Sequence, residues 1–337
     1  MPQPRSVQVT GRSTFIISLP KEWARSVGLR KGSQVYVEVM ADGSLRISAE
    51  PATKGIQLSK EIDARSHGDV SSLIREIISH YLAGYTSIKL QYDPHQKDVV
   101  EKVKEVIEGS ILGLSVLEGT ATSMTFYAVL DPSSMSLKDA TSKLVADATH
   151  MLEDTLRGMR NADADLLEGV MRQDQLVDKL YLLIAKQLTI ALMNPANVKE
   201  FGLETPAEAP HLFLAAKSVE RVADHSTIVA RNSKELILEG IRIPDELMAE
   251  LEEATELFRD VSSALTNPDK ERASKVAKLI EKIGRGPKFI VERPRDPRLY
   301  AIMESVGRIF GYSLDIAEAI IDVSTVREAA KILKRVG

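Results

Sequence analysis

The spacing of apolar residues changes rhythm twice along the chain, and each change marks a boundary. Over residues 5–50, Ser6-Val7-Gln8-Val9 and Phe15-Ile16-Ile17-Ser18-Leu19 read as short strands either side of a Gly11-Arg12 turn. Pro20 then opens a short helix over 21–27, which Gly28 ends. Residues 34–40 alternate with period two, Asp42-Gly43 is a hairpin signal, and 44–48 returns as a strand. Over 55–131 the pattern mixes. Leu73, Ile74, Ile77, Ile78, Tyr81 and Leu82 fall at helical spacing before Gly84, residues 88–92 and 124–130 are strand-like, and 96–108 forms an amphipathic helix. From Ser136 onward apolar residues recur only at three and four, with breaks at 161–163, 193–210, 240–244, 267–268 and 285–296. Those breaks give three long helices and then three more.

The expected fold is α+β overall. A small β-rich head (1–50) precedes an α+β connector (55–131), two tandem three-helix bundles (136–239 and 244–325) and a helical tail (326–337). Four short strands around one small helix bury too little apolar surface alone, so the head needs a partner chain or a neighbouring domain.

An internal repeat supports the two-bundle plan. Ser218 to Ala230 reads SVERVADHSTIVA, and Ser305 to Ala317, 87 residues later, reads SVGRIFGYSLDIA, with five of thirteen positions identical. Glu220 and Asp224 of the first copy become Gly307 and Gly311 in the second.

Those acids bring in candidate chemistry. Asp174 and Asp178 lie four residues apart on one predicted helix, Glu220 and Asp224 four apart on the next. Each pair therefore projects from one helix face on consecutive turns, where like charges repel by a few tenths of a kcal/mol. Two such faces opposed across a bundle offer four hard oxygen ligands, which suits Mg, Mn or iron, with zinc possible and His225 a conceivable nitrogen neighbour. The plainer alternative is an exposed acidic face neutralised by Arg172, Lys179 and Arg221; Glu101/Glu105 and Glu252/Glu256 share the spacing without any metal expectation.

Composition changes the picture only slightly. The 337 residues are 44% hydrophobic and 27% charged, ordinary for a globular protein. No apolar run approaches the roughly 20 residues a membrane helix needs, and no signal peptide is evident, so a cytoplasmic protein with no membrane insertion is expected. With no cysteine, disulfides, thiolate metal sites and cysteine nucleophiles are excluded. Net charge is −4, but residues 1–50 carry seven Lys and Arg against four Asp and Glu, a local +3 that leaves −7 on the rest. A basic head on an acidic body is compatible with a polyanionic partner.

Two segments carry family resemblances. RQDQLVDKLY and SVERVADHSTIVA resemble the signature helices of the PhoU family of phosphate-uptake regulators, over roughly residues 138–325. The resemblance implies metal clusters, usually of iron or zinc, held by Asp174, Asp178, Glu220 and Asp224. Gly307 and Gly311 depart from it, and 269–282 holds no acid pair at four-residue spacing, so one metal-competent bundle is expected. Residues 7–48 resemble the AbrB/MazE/SpoVT group of swapped-hairpin domains. That implies an interlaced β-barrel, a homodimer through residues 1–50, and contacts to double-stranded DNA from Arg5, Arg12 and Arg25, with Lys21 beside them.

Together these give the expectation of a DNA-binding transcriptional regulator of phosphate uptake. Its bundle would sense metal, phosphate or a transporter partner such as a phosphate ABC transporter ATPase subunit, or a sensor kinase. The alternative is an adaptor that represses a transporter by docking, its head serving only to dimerise. Without a nucleophile arrangement, no enzyme is expected.

Overall fold

A computed structural model describes residues 4–11, 13–39, 43–49, 58–131, 134–193, 198–283 and 296–336. The chain divides into two compact units, residues 1–56 and 57–337.

In the first unit, β1 (Gln8–Thr10) pairs antiparallel with β2 (Thr14–Ile16), helix α1 spans Lys21–Ser26, and β3 (Tyr36–Val39) pairs antiparallel with β4 (Leu45–Ser48). Pro20 caps α1 at its start, and Gly28, at φ +73°, turns the chain out of it. The apolar faces of both ribbons lie open: Val9, Phe15 and Val39 are 61%, 74% and 75% exposed, and no described residue of this unit is buried. The expected barrel does not close within one chain. Among the described residues the four strands form two separate two-stranded ribbons, β1-β2 and β3-β4.

The second unit begins with an α+β layer: β5 (Ser59–Asp63), α2 (Val70–Leu82), β6 (Ser87–Gln91), α3 (Lys97–Ser110), β7 (Leu114–Gly119) and β8 (Ser123–Ala128). The sheet order is β5-β6-β8-β7, with β5 parallel to β6 and the other pairs antiparallel. Alternation sends Ile62, Ile88, Leu90, Met124 and Phe126 to one face, where Leu73, Ile77, Val100, Val103 and Ile107 of the two helices cover them. Strands β5 and β7 escape the sequence pattern because they are edges. In β5 only Ile62 is buried, and a bulge between Val116 and Glu118 breaks the alternation of β7.

Among the described residues six α-helices follow: α4 (Leu137–Asn161), α5 (Ala164–Met193), α6 (Ala209–Leu238), α7 (Asp245–Ser263), α8 (Lys270–Ile283) and α9 (Pro297–Val336). Ser136 caps α4 by accepting from the Asp139 amide, and Ala162 at φ 50° turns the chain into α5. The two sets of three helices share one hydrophobic core, running from Leu144, Met151, Leu188 and Val222 through Phe258 and Val276 to Ile309 and Ile320. Helix α6 packs along α9, which sets the two repeat segments side by side. Residues 326–336 continue α9 without a break. Arg327 anchors that stretch by pairing at 2.7 Å with Glu208, which is fully buried and also accepts from the Glu204 and Thr205 amides.

Helix α5 belongs to both cores. Its Leu182 packs on the sheet layer, and Lys186, 2% exposed, sets its ammonium 3.9 Å from the Tyr81 ring centroid.

A buried polar contact locks α4 to α6: the Thr155 and Ser226 hydroxyls lie 2.9 Å apart, both fully buried. Thr155→Val strands the Ser226 hydroxyl, at an expected cost of about 1–3 kcal/mol. In urea unfolding, Thr155→Val/Ser226→Ala together should cost less than the two single changes added, since the double variant leaves no orphaned hydroxyl.

Candidate metal centre

Helices α5 and α6 run alongside one another with opposite polarity, and their apolar stripes fix which side chains face each other. Val177 and Leu180 of α5, and Val219, Val222 and Ala223 of α6, are buried. Asp178 and Asp174 on one helix, and Glu220 and Asp224 on the other, border those stripes and meet across the seam. One oxygen from each of Asp178, Glu220 and Asp224 falls within 4.8 Å of the other two. Asp174 stands one turn along, outside that trio, but its charge is felt by Asp178 and it feels Asp224 and Glu220.

The four carboxyls are poorly satisfied. Glu220 is only 7% exposed; its Oε1 accepts from the Lys217 ammonium, while Oε2 is buried with no hydrogen-bond partner. Asp174 Oδ1 is likewise buried and unpartnered. The Thr227 hydroxyl lies near enough to favour the Asp174 carboxylate somewhat, though no hydrogen bond of good geometry forms. Burial, then the Asp224 and Glu220 charges, push the Asp174 carboxyl up to about 6. Burial, then Asp174 and Asp224, push Asp178 up to about 6. Burial raises Glu220 and Asp224 too, against the lowering effect of Lys217 on both and of Arg221 on Asp224. A polyvalent cation is the ligand chemistry that relieves these strains together, and the donor set is all oxygen.

His225 does not join them. One residue past Asp224, it sits about 100° further round α6. Its ring lies 5.7 Å from that of Tyr312, its Nδ1 is buried and unpartnered, and burial and Arg308 lower its pKa. Arg221 also turns to α9, donating to the Tyr312 hydroxyl at 3.3 Å. Gly311, at the position equivalent to Asp224, faces open space: a side-chain carbon there would meet nothing within 4 Å. With Gly307 it forms part of a groove of about 420 Å³ that Tyr300, Glu304, Arg308 and Asp315 also line. Sequence reasoning missed Lys217 and Tyr181. Lys217 precedes Glu220 by three residues, a spacing that could have marked it.

In the first unit, Arg5, Lys21 and Arg25 are exposed, and Lys21 and Arg25 share one face of α1. Arg12 lies outside the described residues.

A family model described as the PhoU domain matches residues 141–233, the first three long helices and the four acids. A second, described as antidote-toxin recognition MazE, bacterial antitoxin, matches residues 8–57. The chain thus carries a MazE/AbrB-like domain at its N-terminus and a PhoU domain in its C-terminal region. Among solved structures it is similar to PhoU from Pseudomonas aeruginosa, with 17% identity over 56% of this chain and 96% of that one and a TM-score of 0.49. It is also similar to the phosphate transport system regulatory protein PhoU from Streptococcus pneumoniae, with 15% identity over 56% of this chain and 94% of that one and a TM-score of 0.45. No curated protein matches the chain.

The raised carboxyls set the sign of a pH dependence in metal-free protein. Groups that hold protons more tightly when folded destabilise the fold once ionised, so stability should rise as pH falls from 7.5 through about 6 toward 4.5. Thermal unfolding in chelator should show this rise, and Asp174→Asn/Asp178→Asn should flatten it while stabilising the protein at pH 7.5.

Proposed function

We propose that this protein is a DNA-binding transcriptional regulator of phosphate uptake whose helical unit binds metal ions through Asp174, Asp178, Glu220 and Asp224. The observation that carries the metal reading is the buried, unpartnered Glu220 Oε2 beside two further carboxylates within 4.8 Å. Bound metal, iron or zinc as the sequence resemblance implies or Mg or Mn by the oxygen donor set, would neutralise the cluster and offer open coordination positions to an anion such as phosphate. A transporter subunit or sensor kinase is the protein partner this reading expects.

The head supports DNA binding through its family match and its exposed cations. Its open apolar ribbons, with Phe15 74% and Val39 75% exposed, favour a second copy of the same unit as their cover. A dimer would bring Arg5, Arg12, Lys21 and Arg25 together twice on one face, and each phosphate neutralised steepens the salt dependence by roughly 0.9. The same exposed ribbons also suit the adaptor reading, in which the head only dimerises.

Two measurements test the proposal. Purified full-length protein should hold stoichiometric metal, and Asp178→Ala/Glu220→Ala should hold none. In gel shifts on the chain's own upstream DNA, Lys21→Ala/Arg25→Ala should weaken binding and lower the salt slope by up to about 4 across a dimer. Unchanged retention of that variant would leave the adaptor reading; DNA affinity indifferent to metal and phosphate at fixed salt would remove the coupling.

A further inference from the structure

Three carboxylates held together around a buried, unpartnered oxygen would be expected to leave a net charge of −3 in the seam, yet one cation is already there. Lys217 stands three residues before Glu220 on the same face of α6, and its ammonium donates to Glu220 Oε1 while Oε2 stays unpartnered. The same ammonium lies 4.7 Å from the ring centroid of Tyr181, which follows Asp178 by three residues on α5. The Lys217 side chain is 32% exposed and so reaches solvent, whereas that of Glu220 is 9% exposed. The adjacent cation, Arg221, is engaged elsewhere, on Tyr312 of α9. Lys217 is therefore the one described side chain bonded to a member of the trio, and it occupies one of the two oxygens by which Glu220 could chelate.

We propose that Lys217 is the built-in competitor of the metal: it holds Glu220 Oε1 in the metal-free protein and must yield that oxygen to an incoming ion while keeping its place at the Tyr181 ring. This inference rests on the metal reading above. The physical argument is charge. An ammonium beside the site repels an arriving cation in proportion to that cation's charge, so a trivalent ion is penalised half as much again as a divalent one. Lys217 thus weakens binding overall and tilts the site toward divalent ions. The Tyr181 ring, which the ammonium already faces, remains a favourable partner once Glu220 is released.

The test uses full-length protein stripped by chelator, Mn(II) as the probe, and Lys217→Met, which keeps the length and apolar stem of the side chain but not its charge. Calorimetric titration should show Mn(II) binding tightened on the order of tenfold in Lys217→Met, with Lys217→Arg close to wild type. Thermal unfolding supplies a readout that a merely structural lysine would not move. Metal-free Lys217→Met should melt below wild type, because the acids then repel unrelieved, and Mn(II) should raise its melting temperature by more than it raises that of wild type. Tight Mn(II) binding in Lys217→Met alone, with wild type silent, would also uphold the proposal. If wild type binds Mn(II) and Lys217→Met binds it equally or more weakly, with melting lowered alike with and without metal, Lys217 is only a brace and the inference fails while the metal site stands. Absence of Mn(II) binding in both proteins removes the site and the inference together.

Discussion

The helical unit is built around a repulsion. Four acids are pressed toward one another across the α5–α6 seam, two of them with oxygens that are buried and unbonded. Left to themselves these side chains would part the helices. They are kept in place because Val177, Leu180, Val219, Val222 and Ala223, interleaved among them, are buried in the core that all six helices share. Apolar burial is non-directional and cooperative, so it can hold a locally unfavourable arrangement at a cost spread over many contacts. A site that breaks the local rules of charge spacing, inside an otherwise well-formed core, is where function is to be sought.

The repeat sets the acids beside a copy that lacks them. Both segments lie together, α6 against α9, and their equivalent residues His225 and Tyr312 touch. Where the first segment has carboxylates the second has glycines, and Gly311 faces open space instead of a close-packed neighbour. Glycine inside a helix costs about 1 kcal/mol relative to alanine, so helix stability does not account for this choice. The copy without acids receives the Arg221 side chain on Tyr312, so Arg221 acts on Asp224 through its charge alone.

Much of this was legible in the sequence. The helices, and their breaks at 161–163, 240–244 and 267–268, followed from a three-and-four rhythm that burial obeys, whereas the break expected at 285–296 lies outside the described residues but for Asp296; the pairs Asp174/Asp178 and Glu220/Asp224 announced themselves by spacing. What escaped depended on contacts between distant residues. Strands β5 and β7 are sheet edges with too few inward apolar side chains to alternate visibly. The position of His225 beside Asp224 in sequence hid its turn toward α9, because adjacent helical residues point about 100° apart. Asp174 shares its spacing with Asp178 yet stands one turn outside the trio, since the opposing helix places Thr227, not a third acid, across from it. In the head, strand order was readable but closure was not, because nothing in a single chain's pattern says which ribbon its neighbour belongs to.

Helix α5 has one further property that follows from its two memberships. Asp178 and Lys186 are eight residues apart on it, about 12 Å along a stiff rod. At one end the rod carries an acid of the carboxylate seam; at the other, a lysine sealed beneath the ring of Tyr81 in the neighbouring sheet layer. A helix cannot easily turn at one end and stay still at the other. Any roll of α5 that opens or tightens the acid cluster must therefore drag the sealed lysine across its aromatic seat, making the sheet layer a gauge of what happens at the seam.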